Sequence, residues 1–421
     1  MTSAAAAARL HGELHTRVLP WWQTHGIDRE LGGVFTVFDN AGRRRSTDKY
    51  TWSQGRWAWL CARIATNAER GLVDVDPAEW RRSALDTAGF ISRYAVLPGG
   101  LTAHLLSREG VPLPSREDGA VSVSVLSDLF AALGLAGAAG LLDGGDPRRV
   151  AWLGQSRELL ESATRRLRDR TALSEPYPVR TGFRDGAGIM LRLHVAAELH
   201  RVDQADASAE TAAKAAVDLV AGPAPMWRAD DWWEFRPDER VDHDSLLARH
   251  RTPGHLLETA WMLLDAARDI DAVAALVPEW LPDLGRHALE LGWDETHGGL
   301  LRYVDAAGGS PDGRTFGGDR YESLVIDTWD TKLWWVHAEA MLATAALDTA
   351  YPSAGFAAWN RTVTDYSLDT FPDPAGQEWL QVRDRAGRPL DRVVALPVKD
   401  PFHIARALLM ALELESAGSH P

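Results

Sequence analysis

The chain has 421 residues, 45% hydrophobic and 25% charged, with a net charge of −14. That is enough apolar material for a large packed core, and the acidic balance argues against nucleic acid or an anionic membrane as the main partner, since both require a basic face. Cys61 is the one cysteine, which excludes an intrachain disulfide and a cysteine-built zinc site. The first residues are Met1, Thr2, Ser3 and five alanines, without a basic leader or a long apolar run. No signal peptide, no transmembrane helix and a cytoplasmic location are therefore expected. Tryptophan is over-represented, with 18 residues against 7 tyrosines and 10 phenylalanines. Core packing accounts for much of such an excess, but indole rings also stack on the apolar faces of sugars while their N–H groups reach hydroxyls.

Along the chain, apolar residues recur at i, i+3 and i+4 over 57–66, 80–94, 122–142, 150–170, 189–202, 208–221, 255–267, 280–291, 332–347 and 402–415. Each of these predicts a helix. Alternation with a period of two is confined to 33–39, 99–106, 299–304 and 378–383, which predicts short strands in the loops of an all-α fold.

The short segments resemble one another. Gly32-Gly33-Val34 runs into Asp39-Asn40-Ala41-Gly42, and Gly298-Gly299-Leu300 runs into Asp305-Ala306-Ala307-Gly308. Gly99-Gly100-Leu101 and Gln377-Glu378-Trp379 also lead into turns, with weaker copies near Thr171 and Asp231. Spacings of roughly 60 to 80 residues signal an array of similar units. Six helical hairpins fill the chain, and their closed form is an (α/α)6 barrel spanning 1–421 as one domain, with an irregular helical bundle as the alternative.

Four clusters carry candidate chemistry. Gln54 and Arg56 open a strongly apolar helix, where a buried guanidinium needs an anionic partner or a ligand. In Arg251-Thr252-Pro253-Gly254-His255-Leu256-Leu257-Glu258 a helix begins at His255, with Glu258 one turn on. A carboxylate beside an imidazole fixes its tautomer and raises its basicity, which suits a general base. His-x-x-Glu is also half of a metal site, but no second such pair and no HExxH motif accompanies it. His337 and Glu339 lie in the apolar helix that follows Lys332-Leu333-Trp334-Trp335, where polar groups are costly unless paired or functional. The fourth cluster, Lys399-Asp400-Pro401-Phe402-His403-Ile404-Ala405-Arg406, repeats the design of the second, a proline and then a helix opening with histidine and carrying a charge one turn on.

Pro-Gly-His-x-x-Glu and Lys-Leu-Trp-Trp-x-His-x-Glu-Ala, in this order and with the Asp48–Trp59 and Pro401–Leu409 segments, resemble the N-acylglucosamine 2-epimerase superfamily. That superfamily also holds cellobiose 2-epimerases and mannose isomerases. The resemblance implies an (α/α)6 barrel enzyme acting at C2 of an aldose through an enediolate. It implies that His255 and His403 are the catalytic histidines and that Arg56 holds a substrate oxygen. Glu258, His337 and Glu339 would form the surrounding shell, and Trp335 and Trp379 would contact the sugar. Where the family often carries Asn-x-x-Met-His, this chain has Gly186-Ala187-Gly188-Ile189-Met190 running on to His194.

Removal of the C2 proton on one face and its return on the other gives the 2-epimer, and return at C1 gives a ketose. Arg56 would stabilise the developing oxyanion. No cofactor and no metal are expected, and the partner is a small sugar handled by a monomer or homodimer. Rival readings are an aldose–ketose isomerase, an (α/α)6 glycoside hydrolase built on two carboxylates, and a non-catalytic sugar-binding protein.

Overall fold

The computed structural model describes residues 3–393 and 397–418. In chain order the helices are α1 (Ser3–Glu13), α2 (Leu19–His25), α3 (Thr51–Glu69), α4 (Pro77–Phe90), α5 (Val125–Gly140), α6 (Pro147–Arg168), α7 (Gly186–Asp203) and α8 (Asp206–Val220). They continue as α9 (Leu246–Arg249), α10 (Pro253–Ala267), α11 (Asp271–Ala274), α12 (Leu281–Gly292), α13 (Arg320–Thr328), α14 (Trp334–Ala350), α15 (Phe356–Thr370) and α16 (Phe402–Gly418). A π-helical turn, Leu14–Val18, joins α1 to α2.

An inner ring runs α3, α5, α7, α10, α14, α16, each helix packed on the next, and α16 closes on α3. Outside it α1 packs on α16, α4 on α3, α6 on α5, α8 on α7, α12 on α10 and α15 on α14. This is the (α/α)6 barrel expected from the repeats, with α9, α11 and α13 as short additions.

The two rings differ in composition because they differ in surroundings. Helix α5 is buried nearly all round, from Val125 through Leu129, Leu133 and Ala136 to Ala139. Helix α12 buries one stripe, Leu281, Leu284, Gly285, Ala288 and Leu289, as an outer helix with one wet face does. Between α3 and α5 two glycines allow backbone contact. A Cβ on Gly55 would stand 2.0 Å from the Phe130 carbonyl oxygen, and one on Gly134 would stand 2.5 Å from the Gly55 oxygen. This close crossing fixes Trp52 and Arg56 against Phe130.

Short antiparallel pairs decorate one end of the barrel. Lys49–Tyr50 pairs with Leu105–Leu106, Phe183–Asp185 with Phe235–Pro237, His250–Arg251 with Val304–Asp305, and Lys332–Leu333 with Val382–Arg383. The first strand of each pair feeds an inner helix: α3, α7, α10 or α14. The N-terminal ends of these helices therefore gather at the stranded end.

The strands expected at 33–39 and 299–304 are mostly irregular. They hold the isolated bridges Ile27–Val34, Phe38–Arg44 and Trp293–Leu300, and a strand only at Val304–Asp305. The glycine pairs explain this, since Gly32, Gly33, Gly298 and Gly299 all take φ between 70° and 92°, outside extended backbone. Helices α1, α2 and α15 lie outside the periodic stretches read in the sequence. The start of α1 is an alanine run, and α15 buries only Phe356, Val363, Thr364 and Ser367. Among the described residues, no helix is long and apolar enough to cross a membrane.

Candidate active site

A cavity of about 520 Å³ opens at the stranded end. Its wall includes Trp52 and Arg56 from α3, Met190 and Leu191 from α7, His255 and Glu258 from α10, Trp334 and Trp335 from α14, and His403 from α16. Glu234 and Asp400 enter from the segments just ahead of Phe235–Pro237 and α16. Of the 18 tryptophans only these three line it, whereas Trp22, Trp57, Trp59, Trp80, Trp232, Trp261 and Trp379 are wholly buried core. The tryptophan excess is mainly packing.

Two imidazoles face this cavity, each backed by a carboxylate. His255 Nδ1 lies 2.9 and 3.0 Å from the two carboxylate oxygens of Glu234. Burial lowers the imidazole, but the adjacent Glu234 charge and its hydrogen bond overcome this and hold His255 at about 9. Glu234 is held below its ordinary range, burial being outweighed by the His255 charge and hydrogen bond. His403 Nδ1 donates to Glu339 Oε1 at 2.7 Å, which leaves Nε2 for the cavity. The ring of Trp335 lies beside both imidazoles, with its centroid 4.8 Å from that of His255 and 6.0 Å from that of His403. The two imidazole centroids are thus no farther apart than the sum of these distances.

Beneath His403 lies a charged layer. Arg406 Nη2 donates to Glu258 Oε1 at 2.6 Å and to Glu339 Oε1 at 2.7 Å. Burial works against the charge on Arg406, but the two carboxylates raise it above the ordinary arginine value. Glu339 is held well below the usual carboxylate range; burial opposes this, while the Arg406 charge and the His403 bond prevail. Trp261 Nε1 donates to the other Glu339 oxygen at 2.8 Å. Glu258, Glu339 and His403 bring ligand-type atoms within 4.8 Å of one another, as a metal would require. The Arg406 guanidinium already supplies the cation at that point.

Arg56 lies over Phe130, Trp52 and Phe402, its guanidinium carbon 4.2, 4.8 and 5.1 Å from the ring centroids. Its Nη1 is 3.4 Å from Asp400 Oδ1, and its buried Nε has no hydrogen-bond partner. Burial pushes Arg56 down to about 10, with Asp400 and Glu258 opposing, so it remains a cation at neutral pH. Asp400 Oδ2 accepts from Trp334 Nε1 and from the His403 backbone N–H, both at 3.1 Å. Asp400 stays below its ordinary value; burial is opposed first by His403 and then by Arg56.

Most of the predicted residues meet in this cavity. Arg56, His255, Glu258, Trp335 and His403 line it, and Glu339 supports His403 from below. His337 and Trp379 do not line it. Trp379 stacks on Phe371 at 5.5 Å and donates to Glu13 Oε1 at 2.7 Å, in the packing between α15 and the N-terminal helix. His337 donates from Nδ1 to the Leu333 carbonyl at 2.7 Å and accepts at Nε2 from the Leu300 N–H at 2.9 Å. Burial pushes it down to about 3, a neutral ring that clamps a loop.

The other copy of the repeat explains this role. Gln54, four residues after Tyr50 as His337 is four after Leu333, accepts from the Val34 N–H at 2.8 Å. In both copies a buried lysine pairs with an aspartate, Lys49 with Asp28 at 3.0 Å and Lys332 with Asp294 at 3.2 Å, and an arginine joins it, Arg108 or Arg385.

The carboxylate on His255 was expected to be Glu258, one turn along the helix. It is Glu234, and Glu258 turns to Arg406 instead. Glu234 carries no signal in the sequence, whereas Asp400 and Arg406 stand in the fourth cluster without having been assigned a role there. Arg406 is the cation one turn after His403. From α7, Ala187, Met190 and Leu191 reach the cavity wall, while His194 lies deeper, with ring contacts to Trp59 and Trp261 at 5.8 and 5.6 Å.

The sequence profile of the N-acylglucosamine 2-epimerase (GlcNAc 2-epimerase) family matches residues 129–407, more than half of the chain. An N-acylglucosamine 2-epimerase of Bos taurus is 28% identical, over 94% of this chain and 88% of its own length. Among solved structures, a cellobiose 2-epimerase from Spirochaeta thermophila superposes with a TM-score of 0.73 at 17% identity, covering 98% of this chain and 97% of its own. A D-mannose isomerase superposes with a TM-score of 0.72, also at 17% identity, covering 96% and 97%. At these identities the two structures speak for the barrel. The profile match places the chain in the N-acylglucosamine 2-epimerase family.

Proposed function

We propose that this member of the N-acylglucosamine 2-epimerase family is a sugar 2-epimerase that inverts C2 of an aldose or N-acylhexosamine through an enediolate. The observation that carries this reading is the pair of carboxylate-backed imidazoles beside Trp335, with Arg56 in the same cavity.

The chemistry follows from these groups. In the open-chain sugar the C2–H is acidic because the electrons of the broken bond delocalise onto the C1 carbonyl oxygen. One imidazole takes that proton through its Nε2. Arg56 lies where a cation can stabilise the negative charge on the oxygen. The other imidazole, as imidazolium, gives a proton to the opposite face of C2 and restores the aldehyde. Substrate and product are isomers, so the step consumes no oxidant, reductant or group donor. Trp335 offers an apolar face to the sugar.

Incubation with glucose, mannose and N-acetylglucosamine in D2O tests the reading. The 2-epimer should form, with solvent deuterium at C2, and alanine at His255 or His403 should slow turnover by about 10² to 10⁴, the usual size of a general acid–base contribution. A ketose labelled at C1 would make the enzyme an aldose–ketose isomerase. Full activity in either alanine variant would reject the two-histidine scheme.

A further inference from the structure

The carboxylates of the cavity wall are almost all matched to a side-chain partner. Glu234 takes the His255 Nδ1–H, Glu258 meets Arg406, and Asp400 meets Arg56 and Trp334 Nε1. Asp39 pairs with Arg43 and Arg45, Glu175 pairs with Arg320, and Asp391 is exposed. Asp185 is different. It lines the cavity, and among the described residues it accepts only from backbone at the start of α7, Oδ1 from the Ala187 N–H at 2.9 Å and Oδ2 from the Gly188 N–H at 3.1 Å. An ionised carboxylate has about four acceptor positions, so these two bonds leave one further position on each oxygen. The pairing of Asp185 with Phe235 sets it beside Glu234. Burial and the Glu234 charge push Asp185 up to about 6, against its two N–H bonds and His255, so it is mainly ionised at neutral pH. The imidazole that favours its charge is already bonded to Glu234.

The order of the inner ring puts α3 across from α10 and α16 across from α7. With Arg56 of α3 at the C1 oxygen and C2 between His255 and His403, the carbons from C3 onward leave C2 away from α3, toward the side where α7 and α10 begin. There the other cavity residues of α7, Ala187, Met190 and Leu191, offer only hydrocarbon and a thioether. Sugar hydroxyls that gave up water against such a wall would lose hydrogen bonds unless an acceptor replaced them. We infer that Asp185 is a substrate-binding residue that accepts a hydrogen bond from one hydroxyl of the C3–C6 tail, so that the site selects sugars carrying that hydroxyl. The placement of the tail rests on the C2-epimerase reading, whereas the affinity of Asp185 for an open-chain polyol can be measured without turnover. An analogue lacking the hydroxyl would leave the carboxylate dehydrated and without its donor, the situation in which a polar site discriminates most strongly.

The test pairs Asp185→Ser with the 3-, 4-, 5- and 6-deoxy analogues of glucose. Serine caps a helix as aspartate does, but it carries no charge and reaches less far into the cavity. For the wild type, kcat/KM of C2 epimerisation should fall by about 10- to 100-fold with one of the four analogues, the usual size of a hydrogen bond to a charged group. Asp185→Ser should lose about as much with glucose itself and no longer distinguish glucose from that analogue. If Asp185→Ser does not fold, Asp185→Asn, which also caps and keeps a neutral acceptor, should show the same pattern at reduced size. Calorimetric titration with glucitol and its deoxy analogues reads binding alone, since these open chains carry the tail hydroxyls and no aldehyde; the same analogue should bind more weakly to the wild type and equally to the variant. Full affinity and full kcat/KM in a folded Asp185→Ser would leave Asp185 a helix cap and overturn the inference. An equal loss for glucose and every analogue would also overturn it, because a merely structural role predicts that. The predicted glucitol pattern together with no epimer from any sugar would uphold Asp185 as the hydroxyl acceptor and count against the epimerase reading instead.

Discussion

Replacing Glu234 with Gln isolates the charge that holds the His255 proton. The amide oxygen can still accept from Nδ1, so the ring keeps its orientation and only the charge is lost. In the wild type His255 lies at about 9 against an unperturbed 6.5, a preference for imidazolium worth roughly 3 kcal/mol. Without Glu234 the dominant influence left is burial, which lowers the imidazole, so His255 should fall to about 6.5 or below. At pH 8 the protonated fraction would drop from about nine-tenths to a few per cent, a loss of about 30-fold in kcat/KM. At pH 6 both forms are mostly protonated and the two enzymes should differ by less than about twofold on this account. The assay is the pH profile of epimer formation, followed by chromatography or solvent deuterium at C2. The alkaline limb should move down by about 2.5 units. An alkaline limb that stays in place, with activity reduced equally at every pH, would refute the reading that the Glu234 charge holds a working proton on His255.

Three further outcomes follow from the geometry. His337→Ala should lower the melting temperature, because it orphans the buried Leu300 N–H, at a cost of about 1–3 kcal/mol; a raised KM with unchanged stability would instead return His337 to the substrate site. Trp335→Ala should raise KM and lower kcat together, since the ring packs beside both imidazoles; a pure KM effect would limit it to stacking on the sugar. His255 also makes stability depend on pH: its folded value is raised, so its contribution is complete below pH 6.5 and disappears as pH rises through 9. Denaturant titration should show the wild type losing about 2 kcal/mol more than Glu234→Gln between pH 7 and pH 9.5, and parallel curves would contradict the shift.

What was legible in the sequence is local. Pro253 and Pro401 mark helix starts, and a residue at or just after such a start sits at the stranded end of an inner helix, so His255, Arg56 and His403 could be placed together before any coordinates. The ring could be inferred because each hairpin repeats the same apolar periods. What could not be read is which long-range partner each polar group takes. Glu258 is one turn from His255 in sequence, yet on an inner helix that turn carries it toward the barrel axis, where Arg406 waits 148 positions away. The partner of His255 comes instead from Glu234, ahead of a strand that pairs across to the start of α7.

His337 shows the same limit from the other side. A polar residue in an apolar helix must be paired or functional, and the rule holds, but sequence alone does not say which. The choice becomes visible only when Gln54 is seen making the equivalent bond to Val34. Glutamine has no acid–base role, so the shared duty of the two positions is to hold the glycine loop that ends in Val34 or Leu300. The asymmetry between the two cavity histidines arises elsewhere, at α10 and α16. There the same design of a histidine at a helix start is given one bare carboxylate in the first case and a carboxylate already claimed by Arg406 in the second.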